Sequence, residues 1–206
     1  MKKAGFTIIE MLVVIGILAM LMGVAVMSFG RVTKSSQRAA TQELVANTAT
    51  ALTMIFQEKK AWPKPIVVGM GQKRLTADVC AAFVRHGSDG LLGLSYKKDD
   101  EGRRIVDPQS ADRFGILDPQ AAAVVKRNAS ATGGTSVPTG GTIDDHVLHY
   151  SVDLDGDGLT EVSACGRTVQ VRATACVWSF GPDGVEATSR SRGDDLYSWR
   201  EDQEVR

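Results

Sequence analysis

Glu10 is the only charged side chain between Phe6 and Phe29, and a carboxylate inside so long an apolar run requires a partner. In a spanning helix it costs roughly 2.5–3.5 kcal/mol even on a lenient insertion scale, so an ionisable group there points to function. The chemistry open to it is ion pairing with a cation brought into the same apolar surroundings. Two acidic constellations further along offer oxygen-ligand chemistry. The first, Asp153-Leu154-Asp155-Gly156-Asp157-Gly158, has the alternating carboxylates and turn-forming glycine of a calcium loop. It departs from the EF-hand pattern, with Glu161 at the ninth position and Ala164 where a bidentate Glu belongs. A plain Gly/Asp hairpin turn is the competing reading. The second constellation lies between Ser179 and Trp199, in FGPDG and GDDLYSW.

No catalytic set stands beside these groups. The histidines are His86, His146 and His149; the last two are three apart in a predicted strand, face opposite sides and would not readily share a metal. His149 reads as a half-exposed strand residue. There is no GxSxG, HExxH or P-loop, and an enzyme is not expected. The formal net charge is zero, so no basic excess points to nucleic acid as a partner.

The elements that must position these residues begin with the apolar run itself. From Phe6 to Phe29 a helix covers about 36 Å, enough for a hydrocarbon core of ~30 Å. A secretory signal cleaved near Gly23-Val24-Ala25 would need a shorter run and no acid at its start. Lys2 and Lys3 precede the span while Arg31, Lys34 and Arg38 follow it, so a positive-inside count alone does not orient it. Beyond it, Leu44, Ala51, Leu52, Ile55 and Phe56, with Thr48 between, keep helical spacing, and neither Gly nor Pro interrupts Arg31 to Ala61. The helix is expected to stop at Trp62-Pro63. Span and stalk together predict one helix of about 55 residues, near 80 Å long.

The middle of the chain is less periodic. Thr76 to His86 predicts a helix with Thr76 as N-cap, Leu91 to Tyr96 a short strand, and Asn128 to Thr142 a flexible Gly/Ser/Thr loop. The last third reads as β. Val147, His149, Ser151 and Asp153 alternate with Leu148, Tyr150, Val152 and Leu154, and strands over 162–165 and 168–180 follow, joined through Gly156-Asp157-Gly158 and Gly166-Arg167 in an antiparallel meander. Cys80, Cys165 and Cys176 allow one bridge in an oxidising compartment. With Gly166-Arg167 as a two-residue turn, Cys165 falls opposite Thr168, which argues against a bridge to Cys176 within the hairpin.

The leader Met1–Gly5, Phe6 and Glu10 together resemble the class III signal of type IV pilins and type II secretion pseudopilins. The resemblance implies that a prepilin peptidase cuts after Gly5 and methylates the new terminus at Phe6, and that Glu10 pairs with the terminal amine of a neighbouring subunit. A charged amine and a carboxylate, both disfavoured by lipid, gain most by meeting inside a helix bundle. The tail GPDG…GDDLYSW is similar to the carboxyl end of the major pseudopilin of type II secretion, whose acidic loop folds around calcium. Carried over residue by residue, Asp183, Asp194 and Asp195 are the implied ligands, although Val185 to Gly193, with Arg190 and Arg192, departs from the family's sequence.

The expectation is therefore an α+β pilin fold, a long N-terminal transmembrane and stalk helix packed on a small C-terminal antiparallel sheet. Its divisions are leader 1–5, transmembrane and assembly helix 6–29, stalk 30–61, variable region 62–145, and sheet with acidic loop 146–206. The resemblance implies an inner-membrane, single-pass subunit with a periplasmic C-terminal domain, a homo-oligomeric filament, and minor pseudopilins and an inner-membrane secretion platform as partners. A type IV pilin for adhesion, motility or DNA uptake shares the leader. A membrane-anchored periplasmic binding or hydrolytic domain would share the span without needing Gly5 or Glu10.

Overall fold

The computed structural model describes residues 8–70, 74–87, 89–107, 114–119, 143–164, 166–188 and 194–205. The expected processing residues Gly5 and Phe6, the 128–142 loop, Cys165 and the Arg190–Arg192 stretch lie outside them. The chain divides into two units, Met1–Ala39 and Ala40–Arg206.

In the first unit the apolar sequence forms the start of helix α1 (Ile8–Lys59). Ile8, Ile9, Leu12, Ile15, Met20 and Met22 are all exposed. Among the described residues no helix is long and apolar enough to cross a membrane. The described side chains of the apolar run end at Gly23, whereas the run in the sequence continues to Phe29.

The second unit builds its core on the last turns of α1. Thr41, Val45, Thr48, Ala51, Leu52 and Ile55 are buried at 3-and-4 spacing, and Thr48 satisfies its hydroxyl on the Leu44 carbonyl at 2.7 Å. The helix ends at Lys59, ahead of the expected Trp62-Pro63 stop, with Lys60 in the left-handed region (φ 53°). Pro63 instead opens a new helix: its carbonyl accepts from Ile66 and Val67 at the start of α2 (Lys64–Met70). Helix α3 (Ala77–Arg85) buries Val79, Cys80, Phe83 and Val84. Thr76 adopts the extended N-cap backbone but makes no side-chain capping bond. Gly69 permits a close approach, because a Cβ there would stand 2.5 Å from Tyr150 Oη.

The expected strand at Leu91–Tyr96 is corrected. Residues Asp89–Leu92 form a helical turn, α4, and extended pairing starts only at β1 (Tyr96–Lys98), antiparallel to β2 (Arg104–Val106). Asp99 closes that hairpin by accepting from the backbone N–H of Glu101 and Arg103.

The C-terminal meander is also corrected. Two three-stranded sheets form instead, ordered β3-β6-β7 and β4-β5-β8. Strand β3 (His149–Val152) pairs with β6 (Ala175–Ser179), which pairs with β7 (Leu196–Tyr197); β4 (Thr160–Ala164) pairs with β5 (Arg167–Val171), which pairs with β8 (Glu204–Val205). The single strand expected over 168–180 breaks at 172–174. There Arg172 N–H turns to the Gln203 carbonyl, Ala173 O accepts from Thr160 Oγ1, and Thr174 O accepts from Asp153 N–H. The backbone groups around this break are satisfied by three different segments, which carries the chain from one sheet to the other.

The β4–β5 turn is shifted by one residue from the sequence reading. Ala164 pairs with Arg167 and Ser163 with Thr168, so Arg167 belongs to β5 and not to the turn, and Gly166 just before it takes a positive φ (69°). All four residues of β3 are buried, so its alternation does not separate a wet face from a dry one. His149, expected half-exposed, is only 7% exposed and lies between Trp178 and Phe180, with ring centroids 5.7 and 4.2 Å away. Cys80 and Cys176 are buried, and burial pushes the Cys176 thiol up to about 12.

Candidate functional site

Glu10 occupies the first turn of α1, where a carboxylate suits the positive end of the helix dipole. It is exposed, with exposed Ile8, Ile9, Leu12 and Val13 around it. This turn of helix presents one carboxylate among exposed apolar side chains, where an ionisable group points to function.

The first acidic group is brought together by the fold. One carboxylate oxygen from each of Asp153, Asp155 and Asp157 lies within 4.8 Å of the others, and this is the sole such acidic trio among the described residues. Asp153 is buried; its Oδ1 accepts from Gly156 N–H at 2.7 Å and its Oδ2 from Gly158 N–H at 2.8 Å. Burial pushes its pKa upward, but the donors at Gly158 and Gly156, a side-chain hydrogen bond with Asp155 and the Asp157 backbone outweigh that and hold it below the ordinary carboxylate value. Asp157 turns one oxygen to Leu159 N–H at 2.7 Å. The expected hairpin explanation of this segment does not hold, because β3 and β4, the strands on either side, belong to different sheets. The loop is a connection between sheets, stapled from within by Asp153.

The tail group is arranged differently. Asp183 is exposed in a 3₁₀ turn, Gly181–Asp183, and accepts from Val185 N–H. Asp194 packs on Gly181, where a Cβ would come within 2.8 Å of its carboxyl carbon. Asp195 is buried; its Oδ2 accepts from Ala187 N–H at 3.1 Å and Tyr197 Oη at 2.9 Å, while its Oδ1 has no donor among the described residues. Burial raises its pKa; the bonds from Ala187 and Tyr197 oppose the rise, and the charges of Asp194 and Asp183 add to it. A carboxylate held this way stores the cost of an undonated buried oxygen.

A third cluster escaped the sequence reading. His146, expected in a strand, ends a 3₁₀ turn, Ile143–His146, and its Nδ1 lies 2.9 Å from Asp118 Oδ2. The partners are 28 residues apart in sequence and belong to no shared motif, so only a contact map could have joined them.

Against known proteins, the prokaryotic N-terminal methylation motif matches residues 1–26. No curated protein and no solved structure matches the chain. The motif match covers Gly5, Phe6 and Glu10 and supports a type IV pilin-like protein.

Proposed function

We propose that this chain is a structural, non-enzymatic subunit of a pilus-like filament, and within that class a pseudopilin of type II secretion. The observation that carries the reading is the methylation-motif match over residues 1–26, with Glu10 at the head of an exposed apolar helix. In this reading a prepilin peptidase cuts after Gly5, Phe6 becomes the methylated terminus, and residues 6–29 span the inner membrane before assembly. The C-terminal unit then lies in the periplasm. Glu10 pairs with the Phe6 amine of the next subunit, so that each new subunit finds its register by neutralising a buried charge. Secretion is favoured over a surface pilus by the GDDLYSW tail, in which Asp195, Tyr197 and Trp199 are buried together.

Calcium completes the proposal as a structural ion. Hard cations take carboxylate oxygens, and the Oδ1 of Asp195, which has no donor among the described residues and lies close to Asp194, is the observation that favours the tail. The Asp153–Asp157 loop is the rival position, with its three carboxylates already convergent. Mass spectrometry of the mature amino terminus tests the main reading: a chain starting at methylated Phe6 supports it, and assembled protein retaining Met1 would sink it.

A further inference from the structure

We propose that His146 and Asp118 form a pH-operated clasp that fastens residues 114–119 to the chain ahead of β3. The geometry is that of a fully enclosed pair: the side chains are 1% and 2% exposed, with Nδ1 and Oδ2 2.9 Å apart. Main-chain bonds run alongside it. Asp118 N–H donates to the His146 carbonyl, Leu148 N–H to Ile116, Ile116 N–H to Leu75 and Leu75 N–H to Leu148, all between 2.8 and 3.0 Å. Leu117 bridges Val147 in the same ladder. Ile116 and Leu117 are thereby held in the main core, 2% and 5% exposed.

The other side of the imidazole is also closed. A Cβ at Gly184 would stand 3.3 Å from His146 Nε2 and Cε1, so a glycine in the left-handed region (φ 67°) lets the tail turn lie against the ring. The charged groups facing the ring come from three segments. Asp118 lies on 114–119, Asp145 on the ring's own 3₁₀ turn, and Asp183 on the tail turn. Arg74 stands 3.8 Å from Asp145 and tempers that one charge. Among the described residues these surroundings are predominantly anionic and favour imidazolium.

The bond to Asp118 raises the His146 pKa most, burial opposes it, and Asp118, Asp145 and Asp183 add to the rise through their charge. In a folded state with a raised histidine pKa, the added stability is fully present below the unfolded value near 6.5 and is lost as pH rises through the folded value. Above that, the ring is neutral and the charge-assisted part of its bond to Asp118 is lost. The clasp is closed in acid and loosens toward alkaline pH. Residues 114–119 then open ahead of the β3–β6 ladder.

The test uses the full chain in detergent micelles, with ¹³C-labelled histidine followed by NMR and backbone exchange followed by hydrogen–deuterium methods. His146→Gln assigns the ring signal, and Asp118→Asn is the variant that keeps the shape while removing the anion. The expected result is a His146 titration above 6.5. Over the same interval the exchange of the Asp118 and Leu148 amides, corrected for intrinsic rate, should rise by up to about tenfold per pH unit while the Val177 amide stays level. In Asp118→Asn the His146 titration should move down and the local pH dependence should disappear. A His146 ring that titrates at or below about 6.5, or Asp118 and Leu148 amides that respond to pH identically in the wild type and Asp118→Asn, would overturn the clasp. Should His146→Gln fail to fold, His86→Gln and His149→Gln assign the third ring signal by elimination, and the wild-type titration still decides the matter.

Discussion

The helix start from Ile8 to Met22 and the sheets from His149 to Val205 both depend on apolar side chains, yet they use them in opposite ways. In the first, Ile8 is 87% and Met20 76% exposed, so the described residues leave much of this apolar surface uncovered. In the second, Trp178 is 1% exposed and stands edge-on to Trp199 at 5.9 Å, with His149 stacked at 5.7 Å. Exposure of so much apolar surface on one element is the mark of a lipid or protein contact still to be made. The difference teaches where each region's energy comes from. The helix start turns its apolar side chains outward, and the sheets are completed by residues distant in their own chain.

The largest effect is expected at Glu10. Glu10→Val should leave cleavage intact and favour insertion, since it removes the carboxylate's cost, yet reduce incorporation into sheared, pelleted filaments by tenfold or more, on the order of the charge pair's coupling. Equal incorporation of variant and native subunits would place the helix start among simple anchors. In the sheets the matching change is Trp178→Ala, which should cost about 3–5 kcal/mol of stability by emptying a packed site. Denaturant unfolding reads that loss directly, and a cost below ~1 kcal/mol would mean the second core is looser than its burial indicates.

Calcium sharpens the contrast within the sheet region. At a hundredfold excess over Kd, an ion bound only by the folded state adds about 2.7 kcal/mol, seen as a higher Tm. Asp194→Ala with Asp195→Ala should remove that rise if the tail holds the ion, and Asp155→Ala with Asp157→Ala if the inter-sheet loop does. A Tm indifferent to calcium in the native chain would dismiss both. Without calcium, Asp195→Asn should raise Tm at pH 7, because the folded state resists ionising a carboxylate whose Oδ1 lacks a donor.

The smallest effect is expected at Asp153. Its folded pKa is depressed, so its contribution is present above the unfolded value near 3.9 and is lost as pH falls through the folded one. Asp153→Ala should cost about 1–2 kcal/mol, since water can reach the exposed Gly156 and Gly158 once their acceptor is gone. It should also flatten the acid limb of a stability–pH curve below pH 4. An unchanged acid limb would show that the inter-sheet loop is held by its glycines alone.

Local information was enough wherever neighbours along the chain determine the outcome. The run from Phe6 to Phe29 with Glu10 in it, the uninterrupted helix, the α3 stripe of Val79 and Phe83 and the turn glycines near 156–158 were legible because periodicity, breakers and charge act within a few residues. The tertiary structure alone decided that β3 pairs with β6 and not β4, that the chain breaks at 172–174, and that His149 is buried between Trp178 and Phe180. It also decided which carboxylates meet. Asp153, Asp155 and Asp157 were adjacent in sequence and converge, whereas Asp118 finds His146 across 28 residues. The reason is physical: strand pairing and buried ion pairs are settled by which distant backbone and side-chain groups can satisfy one another out of water, and alternation along a single strand carries no record of that partner.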